Sequence, residues 1–460
     1  MRVVEKYKYL LWLIILTIFS RVFYHINTPF FEDEGLFLLD ASKNIFDIYV
    51  NSLYMKPFFG ALYYHLVYVI AGSESFLYLH ISTTLLITIS NIFIYLIVKY
   101  KTKNKNLSIV AAIFYLTFTH LSIDGYAHSS LEHLQVTFLL GMYYLIYIRS
   151  KIRFGLMLLS FAIMIKQNVA LVAIAIIKYI KYYWKFSLFL FLIWALPSLF
   201  FFENFIFNTI IFPAKYYLQN NFLVKLVGIK NFLFLYGNGF NFILMVLFAL
   251  SINNYYKLYK QEFWFICLLG LSLVSTPLYL QHFIIIAPFM IIVIMIKACK
   301  LFAEIKYNKR IVCVMGGVVL AVFNVKNITY NYSQIQDIHY LTKNVTIPHR
   351  VKYEEKGLLD LFNFLKNKKE IIYIYPTLIP HFFILNGNKT INALSSNDHL
   401  SVVLKNDFLR SKLIDSIKES KPKYLIKIKT SGLDIYLNEV LINYIEYKKF
   451  NKIIVYKIKE

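Results

Sequence analysis

Residues 9–35 read YLLWLIILTIFSRVFYHINTPFFEDEG, an apolar run that ends in three consecutive carboxylates. The apolar part approaches the roughly 20 residues that a helix needs to cross a bilayer. Glu32 to Glu34 would then lie at the edge of the membrane. Only twelve acidic residues occur in residues 1–325, so a quarter of them stand in this cluster. Because ionisable side chains are costly near lipid, the cluster indicates a functional site.

The composition indicates that the chain lies in a membrane. Of its 460 residues, 58% are hydrophobic and 18% are aromatic, and the mean hydropathy is +0.56. Soluble domains contain roughly 45–50% apolar residues, so the chain is predicted to be an integral membrane protein. The net charge of +24 comes mostly from short basic runs between apolar segments. Such runs are typical of cytoplasmic loops, which explains the charge without a nucleic acid partner.

The apolar segments predict a protein that crosses the membrane many times. If the basic runs between them follow the positive-inside rule, they lie in the cytoplasm, and so does the N-terminus. Cys267, Cys299 and Cys313 fall within or beside these segments, so the fold is not expected to depend on disulfides. The candidate spans lie near residues 9–25, 76–98, 107–124, 131–148, 168–183, 186–203, 230–252, 261–276, 281–298 and 311–325.

Two further apolar segments cannot each cross the membrane once if all the basic runs are to stay on the cytoplasmic side. A crossing by Pro57–Gly72 would put the Lys99–Lys105 run outside, so this segment is predicted to be an interfacial helix. Phe154–Tyr183 has basic flanks at both ends and is interrupted at Lys166. This pattern predicts a hairpin that presents Lys166 near the outer face. The total is about eleven membrane helices.

The composition changes at about residue 326. Residues 326–460 contain 22 Lys and Arg against 13 Asp and Glu, with no apolar run of span length. The sequence therefore predicts a multispanning membrane domain over 1–325 and a small extracytoplasmic α/β domain over 326–460. Apolar residues at helical spacing predict a helix over Glu354–Leu365. Short apolar runs predict strands at Ile371–Tyr375, Tyr424–Ile428 and Ile453–Ile458.

Asp33 and Glu34 are the first candidates for catalysis. They follow a predicted membrane helix, and Pro29 and Gly35 keep that helix from simply continuing through them. A carboxylate that is partly desolvated at this level is a stronger base than one in water. The alternative is a structural role, in which the acidic residues stabilise the N-terminus of a helix at the membrane surface.

Glu132 is the second candidate carboxylate. It stands at the outer end of a predicted span, on the same side of the membrane as Asp33. His128 would share its helical face if that helix begins early enough, and Asp124 is a further candidate. The alternative is that Glu132 only complements the N-terminus of its helix.

Three basic side chains are predicted on the same side of the membrane. Lys56 precedes Pro57, Lys166 marks the hairpin, and His282 stands in another outer loop. Such cations can hold a lipid phosphate while a carboxylate activates an acceptor. The structural alternatives are lysines that extend to the lipid headgroups, and a histidine that forms its hydrogen bonds at the membrane interface without binding a phosphate.

These elements, in this order, resemble the glycosyltransferases of the GT-C class that use polyprenyl-phosphate sugars. Within the class, the resemblance is to the group of aminoarabinose lipid A transferases and protein O-mannosyltransferases, and it covers most of the chain. The Trp-Trp-Asp sequence of the oligosaccharyltransferases is absent from the C-terminal domain. The resemblance rests on Asp33-Glu34-Gly35, Lys56-Pro57 with Tyr63-Tyr64, Leu131-Glu132, Ile165-Lys166-Gln167, and Gln281-His282-Phe283 followed by Pro288.

The resemblance implies a role for several of these residues. Asp33 is implied as the general base of an inverting displacement, with Glu34 beside it. Glu132 corresponds to a second outer carboxylate, and Lys56 is implied as a ligand of the donor phosphate. The leaving group is a lipid phosphate, whose charge lysines can stabilise.

The expected function is transfer of a sugar at the outer face of the plasma membrane. The partners are a polyprenyl-phosphate-linked sugar, membrane lipids, and an acceptor that can be a lipid, a glycan or a protein. No metal ligands stand out, and a divalent cation, Mg²⁺ or Mn²⁺, stays open as a cofactor. The alternatives are a polyprenyl-linked glycan polymerase or ligase, and a transporter or flippase. Transporters usually contain internal repeats, which this sequence lacks.

Overall fold

The computed structural model is mostly helical, with a five-stranded sheet in its C-terminal part. The predicted span at 311–325 and the predicted domain boundary lie outside the described residues. The structure describes residues 2–27, 32–42, 45, 48–51, 56–120, 130–212, 230, 240–275, 282–304, 355–366, 368–375, 389–390, 407–428 and 438–459.

The helices up to residue 304 form a bundle, numbered here along the chain. Short turns join several of them, so that neighbours in sequence are also neighbours in space. They are α1 (Arg2–Asn27), α2 (Glu32–Ala41), α3 (Ile48–Asn51), α4 (Phe58–Ala71), α5 (Ser75–Thr102), α6 (Lys105–Phe118), α7 (Leu131–Tyr143), α8 (Ile152–Ile165), α9 (Val172–Ala175), α10 (Ile177–Tyr182), α11 (Trp184–Leu199), α12 (Phe202–Ile206), α13 (Phe240–Leu258), α14 (Lys260–Ser275) and α15 (Phe283–Glu304).

Three of the described helices are long and apolar enough to cross a membrane. They are α5, α7 together with its π-helical extension to Ile148, and α15 as far as Leu301. Helices α4, α6 and α8 are also apolar but shorter. These helices support the predicted helical membrane architecture, while the count of about eleven membrane helices stays a prediction.

A tight basic turn joins α5 to α6. Lys103 ends α5 in the left-handed conformation, with φ 55°. The Asn104 side chain then accepts hydrogen bonds from the backbone N–H groups of Asn106 and Leu107, which caps the start of α6. Lys99 and Lys101 stand in the last turn of α5, where positive charge complements the helix dipole. The turn therefore sets α5 and α6 side by side with their basic ends together.

A buried polar cluster marks this end of the bundle, which we call the basic end. Lys101 Nζ lies 2.6 Å from Glu262 Oε2, and the Tyr255 hydroxyl donates to the same oxygen at 2.8 Å. Tyr143 also donates to Glu262. These contacts tie the ends of α5, α7 and α13 to the start of α14, so the first residues of α7 lie toward the opposite end of the bundle.

The predicted hairpin turns at Lys166, as expected. Helix α8 ends at Ile165, and Lys166 is extended, with φ −148° and ψ 124°. The chain continues through a 3-10 turn at Gln167–Val169. The candidate span at 168–183 is not one continuous helix, because α9 and α10 are separate and Ile176 between them has φ −116° and ψ 18°. Six of the sixteen residues of this stretch are valine or isoleucine, and their restricted side chains lower helix propensity.

The main hydrophobic core lies between the longer helices of the bundle, α5 to α8 and α13 to α15. Helices α7 and α8 approach closely at Gly141, where an added Cβ would lie 2.7 Å from Leu158 Cδ1. Helix α4, at the position of the predicted interfacial helix, packs on α2, α5 and α8. The bundle is therefore compact around the ends of α2, α7 and α8, where the candidate residues lie.

The C-terminal part contains a mixed sheet in the order β2-β1-β3-β5-β4. Strands β2, β1 and β3 are parallel, whereas β3, β5 and β4 pair antiparallel. The helix predicted to end at Leu365 and the three predicted strands are confirmed. The elements are α16 (Glu355–Leu365), β1 (Ile371–Tyr375), β2 (Lys389–Thr390), α17 (Asp407–Ser420), β3 (Tyr424–Ile428), α18 (Asn438–Leu441), β4 (Tyr444–Phe450) and β5 (Ile453–Ile458).

One hydrophobic cluster contains residues of both the bundle and the sheet. It includes Leu38 and Phe76 from the bundle and Leu361 and Ile426 from the C-terminal part. Leu131 and Ile165, at the start of α7 and the end of α8, belong to the same cluster. The sheet therefore lies at the end of the bundle opposite to the basic end. We call this the Glu132 end.

Candidate functional site

Three predicted site residues from distant parts of the chain meet at the Glu132 end. Glu132 is 3% exposed and forms an ion pair with Lys166 Nζ. His282 Nε2 lies 3.7 Å from Glu132 Oε1 and 3.4 Å from Lys166 Nζ. The side chains of Lys166 and His282 are 12% and 7% exposed. The cluster is therefore largely shielded from water, which strengthens the electrostatic interactions within it.

The helix ends explain why these residues meet. Ser130 is extended, and α7 begins directly after it, which places Glu132 in the first turn. Lys166 follows the last residue of α8, the antiparallel neighbour of α7. His282 immediately precedes α15. The first turn of α7 and the residue that follows α8 therefore supply the two partners of one ion pair.

Lys56 lies beside this cluster. Its Nζ is 3.2 Å from the ring centroid of Phe37, a cation–π contact with α2. Its charge also acts on Glu132. The Tyr49 hydroxyl donates to the Lys56 carbonyl oxygen at 2.8 Å, which fixes the backbone next to Pro57. Two lysines and a histidine thus surround one carboxylate, and the local balance of charge suits an anionic ligand.

Glu34 belongs to a second contact. It is fully buried and lies in the first turn of α2. His80 Nε2 is 3.3 Å from each of its carboxylate oxygens, and His80 is only 3% exposed. Sequence reasoning missed His80, although an ionisable side chain inside the apolar α5 was a usable signal. The pair anchors the first turn of α2 to α5.

Asp33 directly precedes Glu34 in the first turn of α2. It stands one helical turn before Phe37, the ring that contacts Lys56. Its side chain is outside the described part of the structure. Helix α2 therefore connects the Glu34–His80 pair with the cluster around Glu132. It carries Asp33, the buried Glu34 and Phe37, the aromatic neighbour of Lys56.

Some predicted features fall outside the described residues. Asp124, His128 and Gln281 are among them. Within the described part of the chain, no three His, Cys, Asp or Glu residues come together in a group that could hold a metal ion.

The arrangement allows a defined chemistry. Cations gathered around a buried carboxylate can hold a phosphate and stabilise the charge that grows on it when a bond to it breaks. A separate carboxylate nearby can accept a proton from an attacking hydroxyl. The cations lie at the Glu132 end, and α2, which carries Asp33 and Glu34 in its first turn, reaches them through the contact of Phe37 with Lys56.

The fold is similar to that of a solved crystal structure. The crystal structure of ArnT from Cupriavidus metallidurans bound to undecaprenyl phosphate matches with a TM-score of 0.53 and 11% sequence identity, over 97% of each chain. No protein-family model and no curated protein sequence matches the chain. The predicted resemblance to the aminoarabinose transferases is confirmed as a likeness of fold, which extends over nearly the whole chain.

Proposed function

We propose that this protein is a membrane glycosyltransferase that takes a sugar from a polyprenyl-phosphate donor. The observation that carries the proposal is the cluster of Lys56, Lys166 and His282 around Glu132, in a fold like that of ArnT. The ArnT structure holds undecaprenyl phosphate. A polyprenyl phosphate presents one phosphate group at the membrane surface, which fits a small set of cations.

The basic residues act on the phosphate. Lys56 and Lys166 bind its oxygens and stabilise the additional negative charge as the bond to the sugar breaks. His282 lies within 3.4 Å of the Lys166 ammonium and can contribute a further hydrogen bond. Glu132 holds Lys166 in place and limits the repulsion between the cations. The leaving group is therefore stabilised without a nucleotide.

The transfer itself is a direct displacement. Asp33 takes the proton from the acceptor hydroxyl, the hydroxyl oxygen forms a bond to the anomeric carbon, and the carbon–oxygen bond to the phosphate breaks. The electron pair of that bond leaves with the polyprenyl phosphate, and the anomeric centre is inverted. Glu34, held by His80, keeps the first turn of α2 in place and thereby positions Asp33. The acceptor is a lipid, a glycan or a protein.

The reaction takes place at the outer face of the plasma membrane in this proposal. The basic end of the bundle carries the Lys99–Lys105 turn, and the positive-inside rule places such turns in the cytoplasm. The Glu132 end, with the C-terminal α/β part packed on it, is then extracytoplasmic. A lipid-linked donor suits this side, because no soluble nucleotide sugar has to be supplied there.

The test is the Asp33→Asn variant in vesicles that contain a labelled polyprenyl-phosphate sugar. We expect release of polyprenyl phosphate to fall by at least ~100-fold, the lower range for loss of a general base. Glu74→Gln is the matched control, because Glu74 is an exposed carboxylate close to the start of α5 at the same end of the bundle.

The outcome separates the alternatives. Unchanged release by Asp33→Asn would remove Asp33 from the mechanism. Movement of a solute across the vesicle membrane without any release of polyprenyl phosphate would instead indicate a transporter or flippase. Release that accompanies growth of a polymer on the lipid carrier would indicate a glycan polymerase.

A further inference from the structure

The backbone around Lys166 is held by a side chain of the neighbouring helix. Gln135, in α7, is fully buried. Its Nε2 donates to the carbonyl oxygens of Ala162 at 2.9 Å and Lys166 at 2.8 Å. The same nitrogen lies 3.1 Å from Asn168 Oδ1. One amide group therefore contacts the end of α8, the turn residue and the 3-10 turn that follows.

These contacts provide hydrogen-bond partners for the backbone carbonyl groups of the hairpin. The last carbonyl groups of a helix have no partner within the helix, and in a membrane such groups are costly unless protein atoms satisfy them. The Lys166 N–H reaches the Ala162 carbonyl only at 3.4 Å. Gln135 supplies a shorter bond to that carbonyl, and a further bond to the Lys166 carbonyl, which lies beyond the last turn of α8.

Helix α7 thus holds Lys166 at two points. Glu132 and Gln135 are three residues apart and share a face of α7. Glu132 binds the Lys166 ammonium, and Gln135 binds its backbone carbonyl. A lysine side chain has several rotatable bonds, so a fixed ammonium position requires both the backbone and the head group to be restrained. Glu132 alone restrains only the head group.

We propose that Gln135 is a positioning residue that sets Lys166 for binding of the donor phosphate. The inference rests on the proposed function, because it assumes that Lys166 contacts the phosphate. Gln135 itself does not touch the ligand. Loss of the Gln135 amide lets the turn at Lys166 relax. The Lys166 ammonium group then spends less time at the position where the phosphate binds.

The experiment measures the Kd of the purified full-length protein for undecaprenyl phosphate in detergent. The variants are Lys166→Ala, Gln135→Met and the double variant. Gln135→Met keeps the size of the side chain and removes the amide. We expect it to raise the Kd about tenfold, the scale of one or two lost hydrogen bonds. Because Gln135 acts through Lys166, the double variant should bind within about twofold of Lys166→Ala alone.

Thr137→Val is the matched control. Thr137 is also buried in α7, and its hydroxyl lies within hydrogen-bond distance of Ser90 and of the Leu86 and His133 carbonyls rather than of the hairpin. It should leave the Kd within about twofold of the unmodified protein. If Gln135→Met does not give folded protein, Gln135→Asn replaces it with the same expectation, since the shortened amide no longer reaches both carbonyls.

Each contrary outcome has a distinct meaning. An unchanged Kd in Gln135→Met, or a double variant that is weaker than Lys166→Ala by the full tenfold factor, overturns the positioning role. An unchanged Kd in Lys166→Ala overturns the phosphate-binding role of Lys166, and the inference about Gln135 with it.

Discussion

Removing the carboxylate of Glu132 should destabilise the protein strongly. The Glu132→Ala variant leaves the Lys166 ammonium, whose side chain is only 12% exposed, without its closest counter-charge. Breaking a buried ion pair by removing one partner typically costs about 3–5 kcal/mol, because the other charge stays buried. A pair on the surface contributes only about 0–1 kcal/mol. The low exposure of both partners, 3% and 12%, places this pair in the first category.

The assay is unfolding of the purified protein in detergent, compared with a matched exposed pair. Lys418 and Glu439 lie 3.5 Å apart with side chains 46% and 72% exposed, so Glu439→Ala should cost no more than about 1 kcal/mol. Glu132→Ala combined with Lys166→Met should lose less than Glu132→Ala alone, because no buried charge is then left unpaired.

The exchange variant separates stability from function. Glu132→Lys combined with Lys166→Glu keeps one charge of each sign and should recover part of the stability. It should not recover binding of polyprenyl phosphate, because the ammonium then starts from α7 rather than from the hairpin. If Glu132→Ala unfolds under the same conditions as Glu439→Ala, the reasoning about the buried pair is wrong.

Three further predictions concern the surroundings of the site. Lys56→Ala should weaken binding of the lipid-phosphate donor by ~2–5 kcal/mol, as expected for a desolvated charge contact, whereas Lys105→Ala, at the basic end, should leave the measured Kd unchanged. His80→Ala should lower the turnover of the labelled donor and the melting temperature together, because the contact that ties Glu34 to α5 is lost. Normal turnover would contradict the anchoring role. Gly141→Val should lower the stability by about 1–3 kcal/mol, measured by thermal unfolding, since its side chain would overlap Leu158. An unchanged melting temperature would show that the Leu158 side chain can move aside.

Much of the architecture could be predicted from local patterns. The strands Ile371–Tyr375 and Tyr424–Ile428 and the turn at Lys166 lie where the sequence places them. A hydrophobic run, or a break in one, involves only residues that are adjacent in the chain, so both can be read from the sequence. The division of 168–183 into α9 and α10 was not predicted, because a hydropathy pattern does not distinguish a continuous apolar helix from a broken one.

The sequence by itself determined that acidic and basic residues stand at one predicted side of an apolar helical chain. Periodicity and charge distribution are properties of neighbouring residues. Placing a charged side chain in lipid is energetically unfavourable, so charges mark the ends of apolar segments or functional sites. Only the tertiary structure decided which of these residues meet. It pairs Glu132 with Lys166 and Glu34 with His80, and it places Gln135 on the carbonyl groups of the hairpin. Such contacts join residues 31 to 46 positions apart, and they depend on how the helices pack rather than on any local signal.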